Sequence, residues 1–117
     1  MADLHDIHWS QSEKTIARRA YDCAYRRECE AIKGHVEDMI RDATDPRDIW
    51  RVHDFLSRKR QETDAKYDYR YSVLIVVFGR LLRQGWLKEA DLQGLGEDKI
   101  ERIRLLGSGC GGARPAP

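Results

Sequence analysis

The chain has 117 residues and a mass of 13.6 kDa, which allows one domain of ordinary size and not two. Its 21 basic and 20 acidic residues leave a net charge of +1, which argues against a general polyanion binder. The longest apolar run, residues 72–78, is far shorter than the ~20 residues of a membrane span, and the polar, acidic start is not typical of a secretory signal. Three cysteines at unpatterned spacing favour reduced thiols, so we expect a cytoplasmic protein.

A long first helix is predicted from residue 10 onward. Ser10 and Glu13 have the spacing of a capping box, in which each side chain accepts a hydrogen bond from the other residue's backbone. Small and apolar residues then recur at steps of three, four and seven from Ile16 to Ala43, and residues 42–46 end the helix. A helix of roughly 30 residues is about 45 Å long, more than a compact monomer of this size accommodates. We therefore expect it to pack on a partner chain.

A second helix is predicted to begin at Asp45 and Pro46, because a carboxylate can cap the first turn and proline suits the first helical position. Residues 57–70 are almost wholly polar but have helix-forming composition. The apolar segment 71–82 fits either a buried strand or a buried helix. Its stop at Gly85 favours a helix.

Two short amphipathic helices are predicted last, over residues 87–92 and 97–106, the second capped by Gly107. The fold class is therefore all-α, with two long helices forming a dimeric stalk and a small head of short helices. We expect a single domain over residues 1–106, with the stalk at about 10–65 and the head at about 66–106. The composition of residues 107–117 predicts a disordered tail.

No metal or cofactor site is predicted. His5 and His8 have H-x-x-H spacing, but a zinc site needs three or four convergent ligands and no cysteine pair accompanies them. Cys23 and Cys29 lie about 240° apart around a helix, so they cannot share a ligand or form a disulfide.

Catalytic patterns are also missing from the sequence. It contains no glycine-rich phosphate loop, nucleophile elbow or spaced pair of carboxylates. The neighbours His53 and Asp54 diverge by about 100° on a helix, so we do not expect them to face one another. We therefore expect a protein that is not an enzyme.

Basic clusters at residues 18–19, 26–27 and 58–60 leave nucleic-acid binding open as an alternative, and a dimer would double them. Acidic residues interleave with these clusters, which is typical of a solvated helix face with weak ion pairs. We therefore favour a protein with no nucleic-acid partner. The interleaved carboxylates are Asp22, Glu28, Glu30, Glu62 and Asp64.

The second helix carries a tryptophan, a histidine, a carboxylate and an arginine, a composition common in protein interfaces. Asp54 and Arg60 are six residues apart, so they cannot pair well within one straight helix but could pair between two chains of a two-fold dimer. The alternative is that Trp50 fills a core within one chain and that Arg60 is solvated. The four residues are Trp50, His53, Asp54 and Arg60.

The same region resembles a known family. Residues 49–60 read I-W-R-V-H-D-F-L-S-R-K-R, and residues 64–70 read D-A-K-Y-D-Y-R. Together with the apolar segment that follows, they are similar to the fluorescence recovery protein family of cyanobacteria. The resemblance covers most of residues 9–106 and is densest over residues 49–88.

The resemblance implies a small all-α homodimer without a cofactor. It implies binding to the carboxy-terminal domain of the photoactivated orange carotenoid protein, faster return of that protein to its resting orange form, and an end to quenching of the phycobilisome. Such a regulator is not an enzyme and would associate with thylakoids only through its partner. The alternatives are a homologous helical dimer that binds a different protein in a host without phycobilisomes, and a basic-helix nucleic-acid-binding dimer.

Site residues follow from the same resemblance. The family's dimer interface and activity map to Ile49, Trp50, His53, Asp54 and Arg60. Partner binding maps to the head, at Val76, Phe78 and Arg102. At position 76 the family uses a bulky aromatic residue, so the valine here reduces the apolar area offered to a partner.

Overall fold

The computed structural model describes residues 7–108, and these residues are helical with no strand, which confirms the all-α prediction. The Cα radius of gyration is 16.8 Å, against the ~13 Å expected of a compact domain of this length, and the extents are 56 × 29 × 23 Å. The predictions for His5, Cys110 and the rest of the tail from residue 109 fall outside the described residues. The helices are α1 (Gln11–Arg41), α2 (Asp48–Lys66), α3 (Leu74–Gln84) and α4 (Glu97–Gly107), with a 3-10 helix (Glu89–Leu92) between α3 and α4.

Helix α1 begins as its sequence predicts. The Glu13 backbone N–H donates to Ser10 Oγ at 3.2 Å, and the Ser10 N–H donates to Glu13 Oε1 at 3.0 Å, so the capping box is formed. The buried face runs through small residues, but it ends at Glu28 instead of continuing to Ala43. The part of α1 after Glu28 therefore contributes no buried side chain.

Helix α2 begins later than predicted. The stretch after Asp45 forms a single turn, and α2 proper starts at Asp48. Asp45 Oδ1 accepts from the Arg47 N–H at 2.8 Å, and Asp48 Oδ2 accepts from the N–H groups of Thr44 and Asp45 at 3.0 Å. Both carboxylates therefore hold the turn, and α2 itself has no side-chain cap. The predicted cap residue is therefore used, but for the turn that leads into the helix.

Helices α3 and α4 pack closely because two glycines lie between them. A Cβ on Gly79 would come within 2.5 Å of Leu106 Cβ, and one on Gly107 within 2.9 Å of Leu82 Cδ2. The prediction that Gly107 caps α4 is wrong, because Gly107 is the last residue of the helix and Ser108 is its C-cap. Gly85, at φ 87°, ends α3 as predicted.

We call residues 7–30 together with residues 61–108 the packed end. Its core excludes water from thirteen apolar side chains and is completed by half-buried tyrosines. The first half of α1 thus shares a core with the proposed head. The core residues are Trp9, Ala17, Ala20, Ala24, Leu74, Ile75, Val77, Phe78, Leu81, Leu87, Leu92, Leu95 and Ile103.

We call the remainder, residues 31–60, the open end. Only Val52 and Phe55 are buried here. The His35 ring stacks on the Phe55 ring, with the two centroids 4.4 Å apart. Trp50 is 64% exposed, so the alternative that it fills a core within one chain is wrong. The exposed large apolar residues of the open end are Ile40, Ile49, Trp50 and Leu56.

Candidate interface site

The predicted interface residues of α2 share one face of the helix. At about 100° per residue, Ile49, Trp50, His53, Asp54 and Arg60 fall within an arc of about 140°. All five side chains are exposed. The buried residues of α2 lie on the opposite face, toward α1; they are Val52, Phe55, Thr63 and Lys66.

Polar contacts on this face are local and solvated. His53 Nδ1 lies 3.4 Å from Asp54 Oδ1, so the prediction that these neighbours do not face one another is wrong. The Arg60 Nε lies 3.7 Å from Asp64 Oδ2 on the same helix. These side chains are at least two-thirds exposed, so each pair contributes little to stability. Most donors of Arg60 therefore remain available to a second molecule.

A buried ion pair anchors the end of α2 that lies nearest the packed end. The Lys66 ammonium donates to Glu28 Oε2 and to Gln84 Oε1, both at 2.7 Å, and the Tyr67 hydroxyl donates to Glu28 Oε1 at 2.8 Å. Burial and the Glu28 carboxylate raise the pKa of Tyr67. The prediction that Glu28 lies on a solvated face is therefore wrong, because its partner arrives from 38 residues further along the chain.

A second buried pair fixes the start of α1. The Lys99 ammonium lies 3.0 Å from Glu13 Oε1, and the Gly96 N–H donates to Glu13 Oε2 at 2.8 Å. Burial by itself would raise the pKa of Glu13, but the N–H groups of Ser10 and Gly96 and the Lys99 ammonium lower it to about 2. The glutamate predicted as a capping residue thus also holds α4.

A third pair joins the middle of α1 to the 3-10 helix. The Arg27 guanidinium donates to both oxygens of Asp91, at 2.6 and 3.2 Å, and to the Trp86 carbonyl oxygen at 2.9 Å. Burial would raise the pKa of Asp91, but the hydrogen bonds from Arg27 and from the Lys88 backbone lower it. Arg27 is therefore half-buried and paired within the packed end, and it is not part of a solvated basic cluster.

A continuous row of aromatic rings lines α1, and sequence reasoning missed it. Neighbouring ring centroids lie 4.8–5.6 Å apart, mostly edge to face, a favourable arrangement for aromatic pairs. Two features of the sequence could have indicated it: two tyrosines of α1 are four residues apart, and three tyrosines occupy every second position after α2. In order, the row is Trp9, Tyr71, Tyr69, Tyr21, Tyr67 and Tyr25.

The residues predicted for partner binding do not share one environment. Val76 is 48% exposed on α3, and Arg102 is half-buried on α4 beside Lys99. Phe78 is 0% exposed, so the prediction that it binds a partner is wrong: its ring fills the core.

No metal-binding cluster of histidine, cysteine or acidic residues is found within residues 7–108. Cys23 and Cys29 are free and half-buried. No helix in the same range is both long and apolar enough to cross a membrane.

Comparison with known proteins identifies the family of the chain. A family model described as photoprotection regulator fluorescence recovery protein matches residues 9–107. The fluorescence recovery protein of Synechocystis sp. strain PCC 6803 is 41% identical over 106 residues, which cover 91% of this chain and 97% of the relative.

Solved structures give the same result. The fluorescence recovery protein of Fremyella diplosiphon superposes with a TM-score of 0.76 at 46% identity, covering 83% of this chain and 95% of that chain. The Synechocystis protein superposes with a TM-score of 0.79 at 40% identity, covering 85% and 97%. The chain therefore belongs to the fluorescence recovery protein family of photoprotection regulators.

Proposed function

We propose that this protein binds the photoactivated orange carotenoid protein and accelerates its return to the resting orange form, which ends quenching of the phycobilisome. The observation that carries this proposal is family membership across residues 9–107, which include the whole I-W-R-V-H-D-F-L-S-R-K-R segment. The protein acts in the cytoplasm, reaches thylakoids through its partner, and is not an enzyme.

The working form is a homodimer joined through the open end. Support comes from Ile49, which is 55% exposed, and from Trp50 beside it, since a single chain rarely leaves several large apolar side chains in water on one short segment. A two-fold axis would bring each such face onto its own copy. Asp54 and Arg60 lie on the same face, so an ion pair between the two chains is available to them.

Two regions act on the partner. The α2 face supplies Trp50, His53, Asp54 and Arg60, and the head supplies Val76 and Arg102 to the carboxy-terminal domain of the carotenoid protein. The mechanism is differential binding: a helper accelerates a conformational reversion by stabilising the transition state or the compact form relative to the open form. A dimer with a head at each end can hold two separated domains while they return to contact.

The test mixes the purified protein with photoactivated orange carotenoid protein in the dark and follows the red-to-orange absorbance change. We expect faster recovery at substoichiometric dose. Arg60→Ala should reduce the acceleration, whereas Arg58→Ala is a matched control, because Arg58 is exposed on the same helix but lies outside the arc of the predicted site.

A second candidate function is a helical dimer of the same family that serves another protein. It is favoured by Val76, which offers less apolar area than the aromatic residue of the family pattern. Absence of acceleration from a chain shown to be a helical dimer would contradict the first proposal and support this one. Equal loss of activity in Arg58→Ala would instead contradict the assignment of the α2 face.

A further inference from the structure

We propose that the outer face of α1 at the packed end is a docking surface for a short acidic segment of another polypeptide. A groove runs along α1 from Gln11 to Arg26, with Tyr71 as its side wall. It lies on a different helix from the Trp50 face, so the proposal does not depend on the function proposed above. We call this surface the α1 groove.

The α1 groove is strongly basic although the chain is nearly neutral. Four cationic side chains line it against one carboxylate, that of Asp22. Asp22 lies 3.4 Å from Arg18, with both side chains more than half exposed. The other cations make no ion pair within 4.0 Å to any of residues 7–108; they are Lys14, Arg19 and Arg26.

The α1 groove keeps its positive charge because the neighbouring carboxylates are buried in ion pairs elsewhere in the fold. Glu13 and Glu28 alternate with the basic residues in sequence, but both turn inward and are neutralised by Lys99 and Lys66. Acidic and basic residues therefore alternate along the sequence of α1 but not on its exposed surface. What remains on the outside of α1 is an excess of cations.

Two of these cations are held in place by tyrosine rings. Lys14 Nζ lies 5.3 Å from the centroid of Tyr71, and Arg18 Cζ lies 4.8 Å from that of Tyr69. The tyrosine rings also pack on one another: the centroid of the Tyr69 ring lies 5.5 Å from that of Tyr71 and 4.8 Å from that of Tyr21. Side chains that are already positioned lose less conformational entropy when a ligand binds.

The dimensions and surroundings of the α1 groove favour a peptide over a nucleic acid. From Gln11 to Arg26 it is about 22 Å long, which an extended peptide of about seven residues spans. Further along the same side of α1 the exposed charges alternate in sign, with Glu30 and Glu37 on either side of Lys33. A long polyanion that continued past the groove would lie over a surface without excess positive charge, whereas a short acidic segment would end before it.

The test measures binding of a fluorescently labelled peptide of consecutive glutamates to the full chain by anisotropy at low salt. Arg19→Glu combined with Arg26→Glu should weaken binding roughly tenfold, because two attractions become repulsions. Arg80→Glu combined with Arg83→Glu is the matched control: both residues are exposed on α3 outside the groove, and the charge change is equal. We expect less than about a twofold change in the control.

Amide chemical-shift changes in the unmodified chain provide a second readout that needs no variant, and they should concentrate in residues 11–26 and near Tyr71. The proposal is overturned if the peptide does not bind at low salt, or if the α3 variant loses as much affinity as the α1 variant. It is also overturned if a single-stranded oligothymidine of equal charge binds more tightly through the same arginines, which would make the α1 groove a nucleic-acid interface.

Discussion

The packed end encloses its apolar residues within one chain, whereas the open end leaves them at the surface. At the packed end, thirteen buried apolar side chains, including Phe78 and Leu81, form one core. At the open end, two helices meet over little more than Val52 and Phe55, while Trp50 points into solvent. One chain therefore completes its core at one end and leaves large apolar side chains uncovered at the other.

Charged residues differ between the two ends in the same way. The packed end holds pairs between residues far apart in sequence, such as Glu28 with Lys66 and Glu13 with Lys99. Open-end pairs are local and exposed, as between Arg47 and Asp45. Long-range buried pairs fix one fold, and exposed local pairs leave a surface free for a partner.

The largest expected effect is at the centre of the packed end. Phe78→Ala should lower the free energy of unfolding by about 4 kcal/mol, because it leaves a cavity in a dry core. Trp50→Ala is the control at the open end and should change the stability of the single chain by less than about 1 kcal/mol. Urea unfolding at a fixed, low protein concentration measures both. Equal losses would contradict the contrast between the two ends.

The next effect comes from the buried pair that anchors α2. Glu28→Gln leaves the Lys66 ammonium buried without a counter-charge and should cost about 3 kcal/mol. The double variant Glu28→Gln with Lys66→Met removes both charges and should recover part of that loss. If the double variant loses as much free energy of unfolding as Glu28→Gln and Lys66→Met lose together as single variants, the two residues are not coupled.

Acid should weaken the packed end through Glu13. Its pKa is about 2 in the folded chain against 4.5 for the free carboxyl, so the stabilisation is complete above pH 4.5 and is lost as pH falls toward 2. The loss amounts to about 3 kcal/mol at full protonation. Glu13→Gln lacks this component, so its urea midpoint should depend less on pH over that window. Parallel profiles for the two proteins would refute the role of Glu13.

The smallest expected effect concerns the dimer. Arg60→Ala and Asp54→Ala should each raise the dissociation constant of the proposed dimer about fivefold, because each removes one partner of the ion pair proposed between the two chains. Sedimentation velocity over a dilution series measures this. The control Arg58→Ala should leave the dissociation constant unchanged. Unchanged dissociation in both test variants would remove the ion-pair argument.

Local features of the fold were predictable from sequence because their causes are local. The capping box at Ser10 and Glu13 and the left-handed stop at Gly85 each depend on residues within one turn. The start of α2 differs from the prediction, because the Asp45 carboxylate closes a turn ahead of the helix and Asp48 is the first helical residue.

Long-range features were not predictable, because hydropathy assigns every charged residue to the surface. Glu28 and Lys66 are buried only because each neutralises the other, and nothing in either neighbourhood indicates the match. Phe78 and Val76 belong to one apolar run whose period does not tell which side faces the core. The shared arc of the five predicted interface residues on α2 follows from helical spacing alone. Their role in an interface follows from the family resemblance and stays a prediction.

Sedimentation equilibrium of the unmodified chain and of Ile49→Glu shows whether a second copy of the chain covers the open end. Ile49 is 55% exposed at the open end, so the glutamate should leave the fold of each chain unchanged, which circular dichroism would verify. We predict a dimer for the unmodified chain and a folded monomer for the variant, because a charge would have to be buried in the interface. A monomeric unmodified chain at micromolar concentration, or a variant that remains dimeric, would contradict the claim that a second copy completes the open end.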